Sequence, residues 1–399
     1  MRHKALADYP QLMAVATFST SEAVARARTT ARDVVAGEVP ATDSGVWPET
    51  SLRALQAAGL GGLVAPRDIR GAGLGLRALV GVSEALGEVC ASTALCFGMH
   101  HVATAAIAAK ATERQRKEFL SPIAAGEHLT TLALSEPGTG AQFWLPQTEL
   151  LADGNGWLLR GEKSFVTNGS QADSYVLSSV AAGPNAPLGE FSCIIVRGDS
   201  DGLSWQGAWE AIGMRGSSSL GLRLDDVHVG HDALLGAPGD QIWYVFEVVA
   251  PYFLAAMAGT YLGIAQAALD GAITHLQERR HAHTGRSLSQ EPVLQHRVGA
   301  LWAQVQATRR LVYWAAEEAD AGGPDALAAL TAAKAQVGDC AVEVTNEAMT
   351  LVGGIGYGEG SDLGRHLRDA RAAHVMSPTT DILRTWTGRA LLDIPLLST

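Results

Sequence analysis

Apolar residues recur at three- and four-residue intervals over two long parts of the chain and alternate with polar ones over a part between them. In "SEAVARARTTARDVVAGEV" and "LRALVGVSEALGEVCASTALCFGMHHVATAAIAAKA" the first rhythm predicts helices across roughly residues 21–127. Pro48, Pro66 and the turn "RGAGLG" divide them. From about Thr130 to Val229 the period shortens to two. There "TELLADGNGWLLRGEKSFVTNG" predicts a hairpin turning at Asp153–Gly156, and "SYVLSSVA", "FSCIIVRG" and "LGLRLDDVHVG" predict further strands of a small sandwich or barrel. From about Ile242 the helical period returns. "FLAAMAGTYLGIAQAALDGAITHLQER" is apolar on nearly all faces and rich in small residues, which suits a buried bundle helix. "QHRVGALWAQVQATRRLVYWAAEEA" and "PDALAALTAAKAQVGDCAVEVTNEAMTLV" are its amphipathic partners. The expected organisation is mostly α with a central β domain: helices over 1–129, β structure over 130–232, and a helical bundle over 233–399.

Composition narrows the class without changing this outline. The 399 residues, 47% hydrophobic and 18% charged, allow two or three units around large cores. A formal net charge of -11 argues against nucleic acid as a partner, since phosphates need clustered Lys and Arg. No run of eighteen apolar residues stands out, so no membrane span is expected. The opening "MRHKALADYPQLM" is too polar for a secretory signal, and the expected location is cytoplasmic. Cys90, Cys96, Cys193 and Cys340 lie scattered in apolar contexts and read as reduced core residues, with no metal site among them. In "HLQERRHAHTG", His281 and His283 lack carboxylate neighbours, so no metal is assigned there either.

"LALSEPGTGA" at 132–141 and "GEKSFVTNG" at 161–169 resemble the two signatures of the acyl-CoA dehydrogenase family. "ASTALCFGMH", "GMRGSSSLGLRLDDVHV" and "LVGGIGYGEG" with "LRDAR" follow in that family's order and spacing, so the resemblance covers roughly residues 45–395. It implies FAD, an N-terminal helical domain, a middle β domain, a C-terminal four-helix bundle, and a homodimer or homotetramer. Taken alone, "SFVTNGS" is a strand ending in a turn. A flavin, however, needs hydroxyls at its polar edge, close backbone donors and an apolar wall. The resemblance places Leu134 and Ser135 at the flavin ring, Gly140 and Ala141 at the pyrophosphate, and Phe165 and Thr167 against the ring. It implies that Arg279 reaches the pyrophosphate of a neighbouring subunit, that Val352, Gly353 and Gly354 lie beside the ADP half, and that Thr379 and Asp381 contribute to the cofactor site. Met99, His100, Phe253 and Leu254 are the implied substrate-pocket residues.

The pattern breaks in "RDARAAHVMSPTTDILRTW". The family removes a weakly acidic α-proton from a thioester, which calls for a carboxylate within reach. Its usual glutamate position falls on Ser377, and the alternative position on the long helix falls near Phe253. Leu254 replaces an arginine that contacts CoA, and Ala141-Gln142 replaces a Ser-Asp pair. A neutral serine is no base unless another group activates it. His374, Asp381 and Glu247 are the candidates for a displaced base, each with a plainer reading as a surface or helix-face residue. Three functions stay open. One is FAD-dependent oxidation of an acyl thioester, carried on CoA or a carrier protein, with a non-standard base. Its partner would be an electron-transferring flavoprotein or oxygen. Another is a flavin monooxygenase on the same scaffold, fed by a flavin reductase. The last is a non-catalytic homologue.

Overall fold

The computed structural model describes residues 18–181 and 191–397, so "MRHKALADYPQLM" lies outside the described residues. Helices α1 (Thr20–Thr30), α2 (Ala36–Asp43), α3 (Glu49–Ala57), α4 (Leu76–Gly87), α5 (Ala91–Ala109), α6 (Glu113–Gln115) and α7 (Ser121–Ala125) come first. A capping box starts α1: the Glu22 amide donates to Ser19 Oγ while the Ser19 amide donates to Glu22 Oε2 at 2.6 Å.

Strands β1 (Thr130–Ala133), β2 (Glu149–Asp153), β3 (Gly156–Val166), β4 (Ser174–Ala181), β5 (Phe191–Arg197), β6 (Leu203–Gln206), β7 (Leu220–Gly230) and β8 (Leu234–Leu235) follow. They form one mixed eight-stranded sheet in the order β6-β7-β3-β2-β4-β5-β8, with β1 pairing parallel to β4. The hairpin falls where alternation predicts it. Asp153 pairs with Gly156, and Gly154 supplies the positive φ (50°) at the first central position. The sheet has an apolar core of its own, which includes Leu159, Tyr175, Ile194 and Leu222.

The C-terminal part contains α8 (Gln241–Trp243), α9 (Ala250–Glu278), α10 (Pro292–Asp320), α11 (Ala326–Val352), α12 (Asp362–Ala370), α13 (Ala372–Val375) and α14 (Thr380–Leu391). The longest helix bears on the expectation that no segment spans a membrane. The continuous helix Gln241–Glu278 is long and apolar enough to cross a membrane by length and composition, although no apolar run was evident in the sequence. Its most apolar stretch is almost wholly buried in protein, so its hydrophobicity serves the core. A second finding concerns the helical regions at the two ends, which share one continuous core instead of forming two.

Glycines make that junction possible. A Cβ on Gly263 would stand 2.3 Å from the Glu84 carbonyl oxygen, and one on Gly259 would stand 2.4 Å from that of Val80. Spaced four apart on α9, they let α4 lie backbone to backbone against it. Replacing Gly263 with alanine is therefore expected to force the two helices apart at a cost of about 1–3 kcal/mol. Chemical denaturation checks this, and a variant as stable as the parent would show that the seam yields freely.

Candidate functional site

A cavity of about 810 Å³ opens where β1, β3, the 209–214 segment, the start of α9 and the α12–Pro378 segment meet. That is near the upper end of the usual ligand-pocket range of about 300–1,000 Å³. Met99, Phe143, Val249 and Phe253 make one side apolar. Leu134, Ser135, Gly138 and Gly140 supply another, following directly from β1.

Local chain geometry explains the wall built by "SEPGTG". The Glu136 side chain holds the next turn in place. Its carboxylate accepts from the Gln147 amide (2.6 Å), the Thr148 amide (3.1 Å), Thr148 Oγ1 (2.7 Å) and Lys163 Nζ. The Glu136 and Lys163 side chains are 2% and 0% exposed. Burial pulls the Lys163 amine below its ordinary range, and the Glu136 carboxylate pulls it back. With Glu136 so held, Gly138 (φ 87°) and Gly140 (φ 55°) lie open, with no atom within 4 Å of where a Cβ would be.

"SFVTN" lies against this turn, the Ser164 amide donating to the Ser135 carbonyl at 2.8 Å. Phe165 has a positive φ (55°) and is 68% exposed, so its ring is held out as a free apolar face. Trp209 stands edge-on to it at 6.2 Å between centroids. Thr167 Oγ1 lies 3.1 Å from Ser219 Oγ, and both residues line the cavity. Open space beside two glycines, hydroxyls of Ser135, Thr167 and Ser219, and an unpacked aromatic face are what a flavin ring requires, so the residues present fit FAD.

Across the cavity, Arg368, Arg371, Ala372, Val375, Met376, Ser377 and Pro378 form the last wall. Arg368 pairs with Asp43 at 2.7 Å and also donates to the Ile212 carbonyl. Buried Asp369 accepts from the Met214 amide at 2.6 Å, pinning the 209–214 segment, and burial lifts its carboxyl to about 6. Behind Ser377 lies Lys334, whose Nζ donates to the carbonyls of Ala373 (2.7 Å) and Pro378 (3.3 Å). Burial without an acidic partner brings its amine down to about 8.

Of the residues expected at the site, Leu134, Ser135, Gly140, Phe165, Thr167, Met99, Phe253 and Ser377 line the cavity. Others do not. His100 is a core residue, with Nε2 2.9 Å from the Gly61 carbonyl and Nδ1 accepting from the Thr130 amide; desolvation takes its imidazole down to about 4. Leu254 is buried on another face of α9. Ala141 and Thr379 are half-buried outside the lining.

None of the displaced-base candidates lines the cavity either. His374 turns onto Asp339 at 3.1 Å, which also receives Arg384. Asp381 is 96% exposed on α14, a helix that begins only at Thr380, so Ser377 never shares its face. Glu247 is on the exposed side of the turn preceding α9.

Arg279 is exposed at the far end of α9, and the stretch of helix between it and Phe253 in the cavity wall spans roughly 38 Å. Val352, Gly353 and Gly354, at the end of α11, are likewise outside the lining. Sequence reasoning did not single out Trp209, Ile212, Met214, Ser219, Val249 or Arg371. Arg371 was within reach, since it stands in the same "RDAR" run used to align Ser377.

Comparison with known proteins adds the ancestry of this arrangement. Residues 20–127, 131–227 and 253–392 match the models of the acyl-CoA dehydrogenase N-terminal, middle and C-terminal domains. The chain is 31% identical over 346 residues to the probable acyl-CoA dehydrogenase fadE25 of Mycobacterium leprae, covering 87% of this chain and 88% of that protein. Its fold superposes with a TM-score of 0.88 on butyryl-CoA dehydrogenase from Megasphaera elsdenii (25% identity, 97% of this chain and 100% of that one). The TM-score is also 0.88 for a chain from the structure of the electron transferring flavoprotein of Acidaminococcus fermentans (28% identity, 96% and 100% covered).

Proposed function

The chain belongs to the acyl-CoA dehydrogenase family, and from that premise we propose that it is an acyl-thioester oxidoreductase in which no protein carboxylate takes the substrate's α-proton. The chain is a FAD-dependent enzyme, and bound FAD supplies the two-electron acceptor. Leu134, Phe165, Ser135 and Thr167 hold the ring, the first pair through apolar contact and the second through hydroxyls. Phe253, Met99 and Phe143 exclude water from the acyl group.

The observation that carries this reading is the inventory of proton acceptors. Among the lining residues the only carboxylate is Glu136, already engaged by Lys163 and two backbone amides, and no His, Tyr or Cys joins it. Ser377 offers a hydroxyl whose nearest buried cation, Lys334, is spent on backbone carbonyls. Such a site suits a substrate whose reacting C–H bond is already activated, by an adjacent nitrogen or by an acidifying group, so that hydride loss needs no strong base. Leu254 and Ala141-Gln142, in place of CoA-handling residues of the resemblance, favour a carrier-protein thioester over CoA. Electrons would leave to an electron-transferring flavoprotein. A second copy of the chain would complete the cofactor site with its Arg279, giving a homodimer or larger assembly in the cytoplasm.

Two measurements on the holoenzyme test this. In deuterated buffer, saturated acyl thioesters are expected to show no enzyme-dependent exchange of the α-proton. Anaerobic mixing with α-amino acyl thioesters is expected to bleach the flavin absorbance. Rapid α-exchange with a simple acyl-CoA would overturn the reading. Flavin reduced only by a separate reductase, followed by oxygen consumption, would replace it with monooxygenation.

A further inference from the structure

The charges around the cavity do not cancel. Glu136 is neutralised by Lys163, and Arg368 by Asp43. Arg371 is the remaining charged residue of the lining, and it forms no ion pair and no side-chain hydrogen bond among the described residues. It is exposed, one turn of chain before Val375 and two residues after the buried Asp369, which faces Met214. Position 377, where the resemblance expects an anion, holds a neutral Ser377. The cavity thus carries one uncompensated positive charge in a protein whose formal net charge is -11.

The exposed Arg371 guanidinium has no protein partner among the described residues and is free to take one from a ligand in the adjoining cavity. It can donate several hydrogen bonds in a fixed fork, and a carboxylate matches that fork with two parallel bonds. Arg371 lines the same cavity as Ser377, Met99 and Phe253, and lies on the chain segment that leads to Ser377. A ligand whose acyl group lies along Met99 and Phe253 can therefore present an acidic group to Arg371 without burying an unpaired charge.

We propose that Arg371 is an anion-recognition residue and that the acyl substrate bears a carboxylate that pairs with it. The inference rests on the acyl-thioester reading above and adds the substrate's charge. The anion could equally come from the cofactor's phosphates, so the experiment has an arm for each source.

Holoenzyme is titrated with N-acetylcysteamine hemithioesters of succinate, glutarate and adipate. Each is compared with the uncharged thioester of the same length, butyryl, pentanoyl or hexanoyl, by perturbation of the flavin absorbance. At the best length the acid is expected to bind about 2- to 5-fold tighter, the span of one ion pair on an exposed arginine. In Arg371→Met that preference should vanish while binding of the uncharged thioester and FAD content stay as in the parent. Arg371→Lys should keep part of the preference. Equal binding of acid and uncharged thioester at every length overturns the proposal. So does loss of FAD from Arg371→Met, which would assign the charge to the cofactor. A carboxylate preference accompanied by rapid α-exchange would retain this inference while rejecting the base-free reading, so the two fail separately.

Discussion

Substituting Ser377 with glutamate is expected to create α-proton exchange where the parent shows none. The residue lines the cavity on the segment between Met376 and Pro378, and Lys334 fixes that segment from behind through the Ala373 and Pro378 carbonyls. A carboxylate added there meets a pre-held backbone, so it gains direction as well as basicity. Positioned general bases contribute about 10²–10⁴-fold, which sets the expected gain in deuterium incorporation into a saturated acyl thioester. Ser377→Ala is the control and should exchange no faster than the parent. If Ser377→Glu retains FAD yet exchanges at the parent rate, the wall does not present position 377 to the α-carbon. The proposed geometry would then be wrong.

Breaking the Glu136–Lys163 pair is expected to have the largest effect on stability. Both side chains are almost wholly removed from solvent, and each partner's remaining hydrogen-bonding capacity is met locally, by Thr148 and Gln147 on one side and Ser178 on the other. Removing one charge strands the other, which costs about 3–5 kcal/mol. Glu136→Ala and Lys163→Met should each lower the unfolding free energy by that order. The double variant Glu136→Gln with Lys163→Met should be milder than either, because no buried charge is left alone. FAD retention should fall with Glu136→Ala even at temperatures where the fold survives, since Glu136 anchors the turn that opens Gly138 and Gly140. Denaturation curves and bound-flavin content check both statements; single variants as stable as the parent would show the pair to be dispensable.

Much of this site was readable before any coordinates because its key residues are local. Leu134 and Ser135 follow one strand, Phe165 and Thr167 end another, and a hydrogen bond between Ser164 and Ser135 joins the two motifs. Ser377 was legible by counting from "RDAR". What failed were judgements about direction. His374 lies three residues before Ser377, but the short helix α13 sends its ring to Asp339. Asp381 sits one turn beyond, but the helix starts after Ser377, so helical spacing does not apply across the gap. Glu247 is flanked by apolar residues and nevertheless points outward, because its neighbours bury the other side of the same turn. Trp209 and Val249 reach the cavity only because segments far apart in sequence converge, and no local periodicity encodes that.

The seam between α4 and α9 bears on how the protein is made. Gly87 on α4 rests against Thr260 on α9, and Gly263 rests against Glu84, so the shared helical core needs both ends of the chain. On a ribosome the first helices emerge long before their partner. At about 5–20 residues per second, the stretch from Gly87 to the end of α9 takes roughly ten to forty seconds to synthesise. During that interval the faces of α4 and α5 that pack on α9 lack that partner, while the β sheet can already form around its own core. The nascent N-terminal helices are therefore the natural point of engagement for a chaperone, and the release of α9 is the event that ends that dependence.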